Sequence, residues 1–251
     1  MTAYAAVVLA GGAARRMGGR DKPAVPVHGR SMRDLVLAAV ADAVPRVLVG
    51  PGGSLPADVL VTREEPAGGG PVAATAAGLA LLDPGTTVVA LLAADLPLLT
   101  RPAVGVLLDA LAAESGLGAS DGVCLLDDRG RRQPLCGVWR VPPLRAALAR
   151  VAARRSEAAG NAEAAGNAEA AESVEAAGNA EVPGGASGSG GVRGTERAGG
   201  DGGGAALAGA SMRELLSELT VREWAWSAAG PPPWFDCDTD SDVRRAEEWT
   251  R

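Results

Sequence analysis

The stretch YAAVVLAGGAARRMGGRDK, residues 4–22, decides the fold. Its first six residues form an uninterrupted apolar run of strand length, without the alternation of a half-solvated strand, and read as a strand buried on both faces. Fourteen residues, Leu9 to Lys22, then hold four glycines, three arginines and one lysine. Glycines let backbone N–H groups approach an anion without obstruction by a Cβ, so a strand running into such a loop predicts a phosphate cradle. Lys22 closes the loop and is the only lysine of the chain; the other 23 basic side chains are arginine. A compact ammonium on a flexible stem does what a planar guanidinium does not, which marks Lys22 as a phosphate-binding candidate. The loop is not a Walker A motif, because Asp21 precedes Lys22 and Pro23 follows it, and the adjacent Gly11 and Gly12 do not have G-x-G-x-x-G spacing.

Outward from this loop, the first 150 residues alternate two kinds of segment. Strands are predicted at residues 4–9, 46–49, 59–61, 87–92, 122–126 and 134–140, and helices at 32–43, 72–82, 102–113 and 142–153. Continuous apolar strands separated by helices predict a parallel sheet covered on both faces. From Ala158 the pattern changes to AAGNAE, AAGNAE, AAESVE, AAGNAE, followed by a Gly/Ser-rich run to about Gly204. The glycine run has too little apolar surface to offset its ordering entropy, and each intact repeat sets Gly-Asn against a continuing helix. A hexapeptide β-helix would need apolar inward positions that Glu and Asn do not supply. Residues 155–204 therefore read as a disordered low-complexity insertion, with order returning at Ser211 in a capping box, a strand at 220–226 and a closing helix at 240–250. The expectation is one domain, residues 1–154 with 205–251, interrupted and not divided.

Composition narrows the classes. Apolar residues make up 47% of the 251, enough for a sizeable core, while aromatics at 3% leave that core to Ala, Val and Leu. Three widely spaced cysteines with no C-x-x-C exclude a zinc or disulfide framework. No apolar run approaches the roughly 20 residues of a membrane span, and no basic region precedes the first apolar run as in a signal peptide, so a cytoplasmic, membrane-free protein is expected. The net charge of −6 is unevenly placed: residues 1–152 carry 15 basic against 13 acidic side chains, residues 153–251 carry 9 against 17, and residues 1–35 carry six against two. Positive charge thus gathers at the glycine loop, with no broad basic stripe for nucleic acid.

Asp95, in LLAADLP at residues 91–97, follows a buried strand. Ligands of open α/β sheets bind beyond the carboxyl ends of the strands, and a carboxylate there beside a phosphate chain is a natural magnesium ligand. Helix capping, the competing role, belongs to Thr100. In DCDTD, residues 236–240, alternation sets Asp236 and Asp238 on one side of an extended segment; Thr239 or Ser241 is available for capping. A second glycine loop, EEPAGGGP at residues 64–71, follows the strand at 59–61. Arg131 and Arg132 are available to an anionic group or belong to a solvated turn. His28 sits in a turn at the surface, which disfavours His-based catalysis.

The form L-A-G-G-x-x-x-R-M-G-G-x-D-K resembles the signature of the MobA-like nucleotidyltransferases, and in detail the molybdenum cofactor guanylyltransferases. Leu9, Ala10, Gly11, Gly12, Arg16, Met17, Gly18, Gly19, Asp21 and Lys22 carry it, with D-x-P at Asp95 as a second motif. The resemblance covers about residues 1–152 and 207–251. It implies a Rossmann-like three-layer α/β sandwich with a mostly parallel sheet, and transfer of GMP from GTP to molybdopterin-type cofactor with release of pyrophosphate. L-A-G-G points to GTP, where cytidylyl-transferring relatives usually show L-A-A-G. Implied catalytic residues are Lys22, Arg16 and Asp95. Implied nucleotide-binding residues are Leu9, Ala10, Gly11, Gly12, Lys22, Asp95 and, in the loop expected near base and ribose, Glu64 and Gly70. Magnesium is the implied cofactor, held by Asp95 and, by motif position, Asp238. Implied partners are the two substrates and cofactor-handling proteins. The sequence departs from its relatives at Gly50, at Arg63, where an aspartate is frequent, and at Asp240, where a proline is usual. Cytidylyl transfer and a non-catalytic cofactor-binding role are the alternatives.

Overall fold

The computed structural model describes residues 3–11, 22–114, 116, 118–177 and 203–251. Seven strands form one sheet in the order β5-β4-β1-β6-β8-β7-β9, from β1 (Ala5–Leu9), β4 (Arg46–Val49), β5 (Val59–Thr62), β6 (Val88–Ala93), β7 (Gly122–Leu126), β8 (Arg132–Arg140) and β9 (Val221–Ala225). A small antiparallel pair, β2 (Pro26–Val27) and β3 (Arg30–Ser31), makes a separate hairpin around His28 and Gly29. In the main sheet only β8 runs against its neighbours; β1 pairs in parallel with β4 and β6, β4 with β5, and β7 with β9.

The period of two along each strand divides the core. Ala6 and Val8 of β1, Leu48 of β4, and Ala90 and Leu92 of β6 face one cluster, which is covered by α1 (Met32–Ala39) and α3 (Arg101–Ala112). Ala5, Val7, Val47, Val49, Val89 and Leu91 face the other, covered by α2 (Pro71–Ala80), α4 (Val141–Ala177) and α6 (Met212–Leu216). Burial on both faces is why these strands read as unbroken apolar runs. Trimming one such buried leucine, Leu91, to alanine costs about 2–5 kcal/mol.

Element boundaries agree with the sequence reading to within a few residues, except around the insertion. The helix expected over residues 142–153 continues as α4 to Ala177, through the Gly-Asn pairs at 160–161 and 166–167. Extending an existing helix needs no new nucleus. Each glycine costs about 1 kcal/mol against the alanine and glutamate around it, which are strong helix formers. At the far side, α5 (Gly203–Leu207) stands ahead of Ser211, with Leu207 buried in the core. The described helix thus runs past residue 155, and α5 begins just before residue 204; residues 178–202 lie outside the described residues. The predicted capping box at Ser211 and Glu214 is present. The closing helix is α7 (Asp240–Trp249), capped by Thr239 in a capping box with Asp242.

Candidate active site

The chain leaves β1 toward β4 and β5 on one side and returns to β6 on the other, so the sheet's topological switch point lies between β1 and β6. Their ends are level, with Leu9 paired to Ala93. One residue further, the Ala94 amide donates to the Leu9 carbonyl at 2.9 Å, and the Ala10 amide to Val49 at 2.8 Å. Ala10 is buried, Gly11 is exposed, and Asp95 emerges beside them. Gly12, Arg16 and Asp21 lie outside the described residues.

Lys22 opens a single 3-10 turn, Lys22–Ala24. Its ammonium donates to Asp95 Oδ2 and, at 2.7 Å, to Asp238 Oδ1. Three positions separated by 73 and 216 residues in sequence thereby meet at the switch point. Burial of the Lys22 side chain works to lower its pKa, but the two carboxylates outweigh it and the net shift is upward. Asp95 also holds the C-terminal segment through its backbone: the Cys237 amide donates to the Asp95 carbonyl at 3.2 Å. Cys237 is fully buried in a small cluster with Val27, Met32, Leu98 and Ala246, and its burial pushes the thiol pKa up to about 12. Asp236 has a raised pKa, first from loss of water and then from repulsion by Asp238 and Asp95. Thr239, with Asp242, serves as the cap of α7, so the capping role falls on neither Asp236 nor Asp238.

Among the described residues, no three His, Cys, Asp or Glu side chains converge on a metal position. Asp95 and Asp238 do share one cation, the Lys22 ammonium, which stands between them. Two carboxylates so close need a positive charge. They fit the donor set of magnesium, which takes one or two carboxylates and completes its shell with phosphate oxygens and water.

Glu64 turns back toward the first loop. It accepts from the Gly68 amide at 3.1 Å, and its carboxylate stands 3.6 Å from where a Cβ on Gly11 would lie. Gly70 starts α2 at φ +90° and accepts from Ala74 at 3.0 Å. Gly50, one of the departures from the family pattern, is explained by space. It has φ +135°, and a Cβ there would lie 2.9 Å from the Ala10 carbonyl carbon and 3.0 Å from the Gly11 nitrogen. A side chain in that conformation would collide with the strand end that launches the glycine loop.

The arginines considered for an anion are already engaged. Arg131 pairs with Asp127 at 2.7 Å and Arg132 with Glu223 at 2.7 Å. Asp127, buried just past the end of β7, also accepts from the Arg129 and Arg131 amides and from Gln133 Nε2, and so fixes the turn that presents this edge. Sequence reasoning overlooked Asp127; its signal is an acid at a strand end, with Gly130 closing a tight turn three residues on. His28 is exposed, its Nε2 2.9 Å from the Glu247 carbonyl oxygen.

Known proteins resemble this chain in sequence and in fold. The model of the MobA-like NTP transferase domain matches residues 6–166. A molybdenum cofactor guanylyltransferase of Bradyrhizobium sp. (strain ORS 278) is 33% identical over 149 residues, covering 56% of this chain and 68% of that protein. One of Acidiphilium cryptum (strain JF-5) is 48% identical over 48 residues, 19% of this chain and 24% of that protein. Among solved structures, molybdopterin-guanine dinucleotide biosynthesis protein A from Archaeoglobus fulgidus superposes with a TM-score of 0.54 at 17% identity, covering 97% of this chain and 96% of that one. The 2-C-methyl-D-erythritol 4-phosphate cytidylyltransferase of Thermus thermophilus also gives 0.54, at 16% identity and 98% of both chains. These two superpositions establish the fold.

Proposed function

Because this chain belongs to the MobA-like NTP transferase family, we propose that it transfers GMP from GTP to molybdopterin-type cofactor and releases pyrophosphate. The observation that carries the reading is the meeting of Lys22, Asp95 and Asp238 at the switch point beside the first glycine loop. The names of the relatives supply the nucleotide and the acceptor.

In the reaction, an oxygen of the acceptor's terminal phosphate forms a bond to the α-phosphorus of GTP. The bond from that phosphorus to the β-phosphate bridging oxygen breaks, and its electron pair leaves with pyrophosphate. Past the sheet pairing that engages Ala10, the backbone amides of Gly11 and Gly12 receive the phosphates, with Lys22 and Arg16 offsetting their charge. Lys22 remains protonated through the neutral range, held so by its two carboxylate neighbours. Glu64 and Gly70 lie on the loop that flanks the nucleoside. Magnesium, held by Asp95 and Asp238, would polarise the transferring phosphoryl group and neutralise charge on the leaving oxygens. No residue forms a covalent intermediate in this scheme. No helix among the described residues is long and apolar enough to cross a membrane.

The test is nucleotide incorporation into molybdopterin with GTP and CTP competing at equal concentration. Faster incorporation of GMP is the expected result; faster incorporation of CMP would overturn the nucleotide assignment, and none of either would overturn the activity.

A further inference from the structure

We propose that Arg155 and the strap it holds, α5 with Ala208 and Gly209, position the Glu64–Gly70 loop and thereby tune nucleotide binding. The nucleotide part rests on the function proposed above. The strap is the point where the chain returns from the insertion, and none of it belongs to the motifs that carry the family likeness.

The connection can be followed bond by bond. Arg155 leaves α4 and donates from Nε to the Ala206 carbonyl at 3.0 Å and from Nη2 to the Ala208 carbonyl at 2.8 Å. Its Nη1 reaches Glu214 Oε1 at 3.2 Å, so one planar guanidinium ties α4, the strap and α6 together. The strap then meets the second glycine loop: the Gly209 amide donates to the Gly69 carbonyl at 2.8 Å. The approach is close enough to exclude a side chain, since a Cβ on Gly204 would lie 2.6 Å from the Glu65 carbonyl oxygen. Inside the loop, Gly69 donates to Pro66 and Gly68 to Glu64, whose carboxylate faces Gly11.

Arg155 touches no position where substrate would lie, so it is a positioning residue. Two of its three partners are carbonyl oxygens at the C-terminal end of α5, where helix carbonyls lack an intrahelical partner, and a helix of five residues has little order of its own to offer the loop. Removing the guanidinium therefore loosens the strap first and the loop second. Misplacement of a binding group by about 1 Å from a distant change can cost up to about 10²-fold; a loop that stays tethered at Pro71 should lose less, about tenfold in KM for GTP.

The experiment uses the full chain in five forms: wild type, Arg155→Ala, Arg155→Lys, Gly204→Ala and Arg154→Ala. Arg154→Ala is the control, because Arg154 lies on the same helix and pairs instead with Glu218. The expected result in Arg155→Ala and Gly204→Ala is a KM for GTP raised about tenfold, kcat within about twofold, and amide exchange at Gly68 and Gly209 accelerated at least about tenfold. Arg155→Lys, which reaches fewer carbonyls, falls between; Arg154→Ala matches wild type. Unchanged exchange at Gly68 in both Arg155→Ala and Gly204→Ala overturns the strap. Accelerated exchange with unchanged KM overturns its role in nucleotide binding. A wild type that binds no GTP overturns the function proposed above and the nucleotide part of this inference, while exchange still decides whether the strap holds the loop.

Discussion

Lys22 and Asp95 form an ion pair across the topological switch point of the sheet, the first after β1 and its glycine loop, the second just beyond β6. Asp238 joins the same ammonium at 2.7 Å. The pair gathers one positive and two negative groups where the strands end, in a protein whose overall charge is negative.

Asp95→Asn keeps the shape of this residue and removes its charge. Turnover should fall at least about 10²-fold at saturating nucleotide, through loss of transition-state stabilisation and of magnesium affinity. Pyrophosphate release measured against magnesium concentration reads both effects. The fold should survive, with Tm shifted by no more than about 3 °C, because the Cys237 amide bonds to the backbone of Asp95 and not to its carboxylate. Activity within about tenfold of wild type would remove Asp95 from the site.

Gly50→Ala tests the crowding beneath the first glycine loop. A Cβ at φ +135° and 2.9 Å from Ala10 should cost about 1–3 kcal/mol of stability and weaken GTP binding, since the strain falls on the strand end that carries the loop. Gly85→Ala, where no atom lies within 4 Å of the added carbon, is the neutral comparison. Denaturant midpoints and nucleotide titration of both variants give the result; equal behaviour would show that β1 and β4 yield without consequence.

Asp42 supplies a pH-dependent part of stability. Its carboxylate accepts from Tyr4 Oη and Arg101 Nε, each at 2.7 Å. Partial loss of water works to raise its pKa, but the Tyr4 hydroxyl and Arg101 outweigh it and hold it below the ordinary carboxylate value. A depressed folded pKa means the contribution is present above the unfolded pKa and lost as pH falls through the folded one. Asp42→Asn should therefore cost about 1 kcal/mol at pH 7, a figure kept small by the exposure of the pair, and progressively less below about pH 4. Urea midpoints at about pH 7 and pH 3 check the sign; a difference that grows on acidification would refute it.

Replacing residues 157–202 by about ten Gly/Ser residues should leave Tm and guanylyl transfer close to those of the full chain, the rate within about twofold. Arg155 already touches Ala206, so the two ends are close. Taking the deletion out to 155–204 removes Arg155 and Gly204, and the KM for GTP should then rise. Equal kinetics for the two deletions would speak against the strap.

How much of this was legible beforehand follows from the length scale of each signal. The parallel core was readable because β1, β4 and β6 are buried on both sides and show it as apolar runs. Lys22 and Asp95 were readable because each follows a strand end within a long motif. The antiparallel course of β8 was not, since apolar runs carry no direction. Nor was the engagement of Arg132, because its partner Glu223 lies 91 residues away. The strap escaped notice for a related reason: Gly203 to Gly209 looks like the tail of a low-complexity run, and only the carbonyls it offers to Arg155 give it a place. Gly50 looked like a lost polar side chain, whereas the space beside Ala10 allows none.

The position of β9 at the sheet edge has a consequence for synthesis. Six of the seven strands are encoded before residue 141, and β9, α7 and Asp238 come after the insertion. At about 5–20 residues per second, the ribosome needs roughly 3–10 s to make the fifty or so residues between Arg155 and Gly204. That interval separates the synthesis of six strands from that of the last, and Asp238 is made after it. Limited proteolysis of nascent chains arrested at Gly204, when β8 has cleared the ribosomal exit tunnel, should find the six-stranded sheet already protected.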